Sequence, residues 1–261
     1  MTTIPNKAKE RLEKGELALG LGLRQMRGVD IGRILATCGF DFAFIDLEHS
    51  TMTIENAAEL SVACHDAGVT PLVRVPGYEH YLATRILDAG GMGIVFPHVD
   101  TPELAQQLVS NCKYPPMGHR SVAGAMPQLA FQAMPLAESS KLVNQQTMVV
   151  IMLETPQAID NAEAIAAIEG VDVLLVGSND LCMEMGIPQQ FGDSKLHDAI
   201  GKVVDACAKH GKHPGLGGVY DEVNAPKFVE RGMRFILSGG DLPIFMAGAS
   251  KRSQFLRGIK Y

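Results

Sequence analysis

The chain has 261 residues, a net charge of −6, 46% hydrophobic and 20% charged residues, and only 6% aromatics. Such a chain can bury a large core, and an acidic balance with no basic block argues against a nucleic-acid partner. No apolar run approaches a membrane span, the polar opening lacks a secretory apolar stretch, and five cysteines (Cys38, Cys64, Cys112, Cys182, Cys207) without C-x-x-C spacing read as reduced thiols, so the expected compartment is the cytoplasm.

A polar helix over Asn6 to Lys14 leads into a first apolar run, Leu17 to Leu23. Gly28 to Cys38 reads as a helix closed by Gly39. The second run, Asp41 to Leu47, is followed by Glu48-His49-Ser50, and Ile54 to Ala67 has helical spacing. The third run, Pro71 to Val75, carries Arg74. His80 to Ala89 reads as a helix, Met92 to Phe96 as the fourth run, and Pro102 to Asn111 as a helix. Tyr114 to Gln146 breaks the rhythm, with some helix near Pro135 to Val143. A connection of that length inside a compact domain is expected to be a functional lid or loop.

The fifth run, Met148 to Leu153, ends at Glu154. Thr155-Pro156 then marks a helix start, and an Ala- and Ile-rich helix runs to Gly170. The sixth run, Val171 to Val176, ends in Gly177-Ser178-Asn179-Asp180. A helix over Asp198 to His210, a Gly-rich seventh run (Pro214 to Val219), an eighth (Met233 to Leu237) and a last helix (Pro243 to Leu256) complete the chain.

Eight apolar runs alternating with helical segments predict an α/β fold, a (β/α)8 TIM barrel in one domain over residues 1–261. Active sites of this fold lie at the C-terminal ends of the strands. Those ends carry Asp46, Glu48, His49, Arg74, His98, Glu154, Ser178, Asn179, Asp180 and Asp241, whereas the runs hold almost no charge. None of the eight runs contains a lysine, which removes Schiff-base chemistry. Cys182 has no evident base beside it.

Glu154 and Asp180 end neighbouring strands. Either alone reads as a helix cap; together they suit a hard divalent ion, Mg²⁺ or Mn²⁺, with Co²⁺ a further candidate. A cation with open positions chelates a 2-oxo acid and acts as a Lewis acid on the developing enolate. His49, an imidazole at a strand end beside Glu48, suits proton transfer. Arg74 is open to two readings: charge stabilisation of the same oxygen, or a structural ion pair with Asp46 or Glu48. The pairs Gly217-Gly218 and Gly239-Gly240 are only a weak phosphate signal.

At FIDLEHS (Phe44 to Ser50), VRVPG (Val73 to Gly77), ILDAGGMGIVFPHV (Ile86 to Val99), YPPMGHR (Tyr114 to Arg120), LETPQAI (Leu153 to Ile159) and EGVDVLLVGSNDL (Glu169 to Leu181), the chain resembles a known family. These are the metal-dependent (class II) pyruvate aldolases of the hydroxy-oxo-heptanedioate aldolase and citrate lyase-like group, the HpcH/HpaI aldolase family. The resemblance implies His49 as general base, Arg74 as the stabilising arginine and Glu154 and Asp180 as metal ligands. It implies that backbone N–H groups of Asn179 and Asp180, beside Ser178, hold the substrate carboxylate. It also implies that Asp88, otherwise a helix-end charge, raises the basicity of the histidine. The family forms hexamers, trimers of dimers that exchange the C-terminal helix. Asp88 falls on the rim opposite His49, so it is expected to reach His49 from a neighbouring subunit.

Two departures bear on specificity. Met152 stands where some members have a glutamine that hydrogen-bonds the substrate; it shares strand parity with Glu154 and is expected to face the site. Gly177-Ser178-Asn179 stands where some have Gly-Pro-Ala, and His119 and Ser121 lie in the long connection. The function expected is a divalent-metal-dependent aldolase cleaving a 4-hydroxy-2-oxo acid to pyruvate and an aldehyde. The alternatives are an oxaloacetate decarboxylase or acyl-CoA lyase at the same enolate site, or a non-catalytic barrel that binds a 2-oxo acid. The expected partners are these small molecules and copies of the chain, with no nucleic acid and no membrane.

Overall fold

Parallel strands need long crossovers, and strands buried on both faces read as unbroken apolar runs. In the computed structural model, which describes residues 4–260, eight such strands close into a barrel in sequence order. They are β1 (Ala18–Leu23), β2 (Phe42–Asp46), β3 (Thr70–Arg74), β4 (Gly93–Phe96), β5 (Met148–Leu153), β6 (Val173–Gly177), β7 (His213–Gly217) and β8 (Phe235–Gly240). The helices are α1 (Lys7–Glu13), α2 (Ile31–Thr37), α3 (Ile54–Asp66), α4 (His80–Asp88), α5 (Pro102–Cys112), α6 (Leu136–Gln146), α7 (Pro156–Asp160), α8 (Ala162–Ala166), α9 (Ser178–Glu184), α10 (Ser194–His210), α11 (Ala225–Arg231) and α12 (Asp241–Arg257). The barrel expected from the sequence is the one observed. None of the described helices is long and apolar enough to cross a membrane.

The barrel interior is a packed core. Phe42, Phe44, Leu72, Val150, Leu175 and Phe235 fill it, and Ala8 and Leu12 of α1 close its N-terminal end. Phe42 and Phe235 stack with centroids 4.2 Å apart. Gly20 makes room for them, because a Cβ there would stand 2.0 Å from the Phe42 ring. A second core lies between the barrel wall and the helices.

Three local expectations need correction. The helix after Glu154 is two short ones, α7 and α8, broken at Asn161, whose amide donates to the Asp100 carbonyl at 2.7 Å. Helix α11 was not read from the sequence. The long connection after α5 is no lid over the cleft of its own chain. It joins a helix to a strand, so it lies at the N-terminal rim. There Met126, Leu129 and Val143 pack with Ile4, Met92 and Tyr114 in a small separate core.

Helix α12 departs from barrel geometry in a different way. Only Asp241 in it is buried, while Ile244, Phe245, Met246, Phe255 and Leu256 are exposed. Most of β8 is correspondingly only half-buried. A single chain leaves both the helix and the strand uncovered.

Candidate active site

The strands aim their last residues into one cleft of about 280 Å³ at the C-terminal mouth. Arg74 ends β3 and is buried. Its Nε and Nη2 grip the two oxygens of Asp46, at the end of β2, at 3.0 and 2.7 Å. Such a two-point fork fixes orientation as well as charge. Arg74 Nη1 lies 2.9 Å from Glu48 Oε2 and 4.0 Å from the Met152 sulfur, and the guanidinium sits 5.4 Å from the centre of the Phe44 ring. Arg74 pairs with Asp46 and Glu48, as the structural reading expected, and it also lines the cleft. Burial pushes the Asp46 carboxyl up, but the Arg74 hydrogen bonds and charge more than reverse this and hold it below its ordinary value.

Asp46 also shapes the turn after β2. Its Oδ1 accepts the backbone N–H groups of Glu48 and His49 at 3.1 and 3.2 Å, turning the chain so that the His49 ring, half-exposed, enters the cleft. The nearest carboxylate to that ring is Glu48, with Oε2 3.9 Å from Nε2.

Opposite, Glu154 follows β5 and is 1% exposed. Its Oε2 accepts the backbone N–H of His98 at 2.8 Å. His98 is left-handed there (φ 51), a conformation costing about 1–3 kcal/mol outside glycine, which aims that N–H at the carboxylate. The His98 ring stands between Glu154 and Glu48, 3.6 and 4.0 Å away. Burial raises the Glu154 carboxyl to about 7; the His98 hydrogen bond opposes this and the Asp180 charge adds to it. Gly177 forms a cradle for Glu154, since a Cβ there would stand 2.5 Å from Oε1. Asp180 lies in the first turn of α9, exposed to the cleft beside Asn179. Ser178 is buried, with no partner for its Oγ. Gly177, the N-cap residue, has no side chain to cap that turn.

Two carboxylates at neighbouring strand ends, one of them buried with only the His98 N–H and ring beside it, suit a divalent ion. Among the described residues, no cluster of three or more His, Cys, Asp or Glu is arranged to hold a metal.

The other expected residues scatter. Met152 faces the cleft, as parity predicted. Asp88 does not: it ends α4 on the far rim, where its Oδ1 pairs with the buried Arg120 at 2.6 Å. The His119 backbone N–H donates to the Ser110 carbonyl at the end of α5, also on that rim, away from the cleft of its own chain. The sequence reading missed Arg24 and Tyr220, both cleft residues. Arg24 follows β1 directly, and a charge just past a strand end was the available signal.

A parallel eight-stranded barrel with acids, an arginine and a histidine converging at its C-terminal mouth is the architecture of a TIM-barrel enzyme. The chain belongs to the HpcH/HpaI aldolase/citrate lyase family, whose model matches residues 29–247. It is 38% identical to a 4-hydroxy-4-methyl-2-oxoglutarate aldolase of Hapsidospora irregularis, over 95% of this chain and 94% of that one. It is 30% identical to a 5-keto-4-deoxy-D-glucarate aldolase of Shigella boydii, over 96% of each. The crystal structure of an HpcH/HpaI aldolase from Desulfitobacterium hafniense covers 97% of both chains with a TM-score of 0.91 and 29% identity. The enzyme class read from the sequence, a carbon–carbon lyase of the aldolase kind from a family generally dependent on a divalent metal, agrees with these relationships.

Proposed function

We propose that this chain cleaves a 4-hydroxy-2-oxo acid to pyruvate and a second carbonyl compound, and runs the reverse addition, with Glu154 and Asp180 holding Mg²⁺ or Mn²⁺. The observation that carries this reading is the buried Glu154, seated in the Gly177 cradle beside Asp180 and across the cleft from Arg74 and His49. When bound, the cation supplies Lewis-acid polarisation of a 2-oxo acid.

The chain's own residues account for the rest. His49 takes the proton of the 4-hydroxyl group. The C3–C4 bond breaks, its electron pair moves to C3, and C4 becomes the carbonyl of the released fragment. Arg74, locked by Asp46, presents fixed positive charge to the enolate oxygen without reorganising. Protonation at C3 by the proton that His49 holds gives pyruvate. The buried Ser178 hydroxyl and the uncapped first turn of α9 offer donors to the substrate carboxylate.

Two relatives are named for oxoglutarate and glucarate derivatives, both dicarboxylic acids. The substrate proposed here is of that general type. The assembly is a hexamer in which α12 is exchanged and Asp88 serves His49 of a neighbour; the exposed apolar face of α12 supports the exchange.

Chelation is expected to abolish cleavage, and Mg²⁺, Mn²⁺ or Co²⁺ to restore it, while Glu154→Ala folds but no longer binds the ion by calorimetry. Full activity in metal-free buffer, or an imine trapped by borohydride, contradicts this mechanism. Consumption of oxaloacetate with no aldol cleavage favours the decarboxylase alternative.

A further inference from the structure

We propose that Arg24 selects the substrate by gripping a second carboxylate at the end remote from the 2-oxo group. This rests on the aldolase reading and adds to it the residue that reads the far end of a dicarboxylic 4-hydroxy-2-oxo acid. The two arginines of the cleft are in different states. Arg74 is 6% exposed, with its nitrogens turned to Asp46 and Glu48. The side chain of Arg24 is 48% exposed. Its Nε is anchored to Asp46 Oδ2 at 2.7 Å, and neither Nη makes a hydrogen bond among the described residues. A guanidinium held by Nε with its terminal edge open matches a carboxylate in two-point fashion. No lysine lines the cleft, so Arg24 is the cleft cation with donors to spare.

Its position suits the far end of a short substrate. β1 and β5 lie on opposite walls of the closed barrel. Arg24 follows β1, Glu154 follows β5, and His49 and Arg74 come from β2 and β3 between them. A substrate whose 2-oxo-acid end lies at Glu154 and Asp180 therefore points its other end toward the β1 loop. The loop is also built to stay put. Asp241, 2% exposed, accepts the backbone N–H groups of Arg24, Gln25 and Met26 on one oxygen at 3.1, 2.8 and 2.7 Å. Three amides on a buried carboxylate preorganise the arginine, which lowers the ordering cost of binding. A purely structural Arg24, bracing Asp46 and through it Arg74, predicts something different: its loss weakens all substrates alike.

The test compares kcat/KM of the Mg²⁺-loaded enzyme for 4-hydroxy-4-methyl-2-oxoglutarate and for the monocarboxylic 4-hydroxy-2-oxopentanoate. Arg24→Gln is expected to lower the dicarboxylate value by roughly ten- to a hundredfold, mostly through KM, the scale of one lost hydrogen-bonded charge pair. The monocarboxylate value should fall far less, and Arg24→Lys should recover part of the preference. An equal fall for both substrates, or no fall, overturns the assignment. Calorimetric binding of 2-oxoglutarate against 2-oxopentanoate provides a readout independent of turnover. If wild type cleaves neither substrate, yet Arg24→Gln erases a preference for 2-oxoglutarate, the aldolase reading fails and Arg24 keeps its role. Equal binding of the two acids by wild type removes that role.

Discussion

Glu154 is a carboxylate whose burial the His98 N–H and ring only partly offset. Its carboxyl is raised to about 7 by burial, above the ordinary carboxylate value, so the folded state favours the protonated form. The stability this contributes is fully present below the unfolded value of 4.5 and is lost as pH rises through about 7. Denaturant titration of the chelated protein should therefore show Glu154→Gln stabilised relative to wild type at pH 8, on the order of 2 kcal/mol, and near parity at pH 4.5 to 5. The same variant should lose the cation. A destabilised Glu154→Gln at pH 8 would mean that the carboxylate is satisfied within the chain. Met152 offers a second residue-scale test. Its sulfur, 4.0 Å from Arg74 Nη1, cannot donate a strong hydrogen bond to a bound 2-oxo acid. Met152→Gln is expected to tighten pyruvate binding by up to about 1.5 kcal/mol. Unchanged affinity in calorimetry would indicate that a water already serves.

At the scale of elements, the junction of β6 and α9 decides where Glu154 sits. Gly177 has φ −85, a conformation open to any residue, so its role is space rather than backbone freedom. Adding one methyl places a carbon 2.5 Å from Glu154 Oε1. Gly177→Ala should keep the barrel, by circular dichroism, and weaken Mn²⁺ binding at least about tenfold, because ligating groups tolerate displacements of only about 0.5 Å. Wild-type affinity in this variant would show that Glu154 has room to move. The long connection after α5 illustrates the complementary point. Its length suggested a lid, but a helix-to-strand connection in a barrel emerges at the N-terminal rim, and its buried Gln128 and Arg120 tie it there, to the Leu87 and Gly91 carbonyls and to Asp88.

On the scale of the whole molecule, one chain leaves an apolar helix uncovered. α12 presents Phe245, Met246, Phe255 and Leu256 to solvent, a patch of the kind that marks an interface. Asp88 sits at the rim opposite His49, paired with Arg120 but still 27% exposed. If Asp88 serves a neighbour's His49, a carboxylate beside that imidazole favours its charged form and fixes its tautomer. Mixing and reassociating two weakened variants, His49→Ala and Asp88→Asn, should then restore activity in the hybrids, since one interface can hold both intact residues. Turnover no greater than the sum of the separate variants, with hybrids proven by mass spectrometry, removes the shared site.

The barrel and the acidic pair were readable in the sequence because both come from local rules. Buried parallel strands must be apolar runs, crossovers must be helices, and the residues just past a strand in this fold face the mouth, so Glu154, Asp180, His49 and Arg74 could be placed by counting. Met152 was placed by parity alone. The break at Asn161 was lost because it depends on the distant Asp100 carbonyl. Tertiary structure alone decided the relations between residues far apart in the chain. Asp46 binds Arg24 and Arg74 together, Gly177 yields its volume to Glu154, and Asp241 pins the loop after β1. The first two depend on side-chain register between adjacent strands, and the last on closing the barrel, which brings β8 against β1. Spacing along a sequence cannot encode a distance that exists only after the sheet has closed on itself.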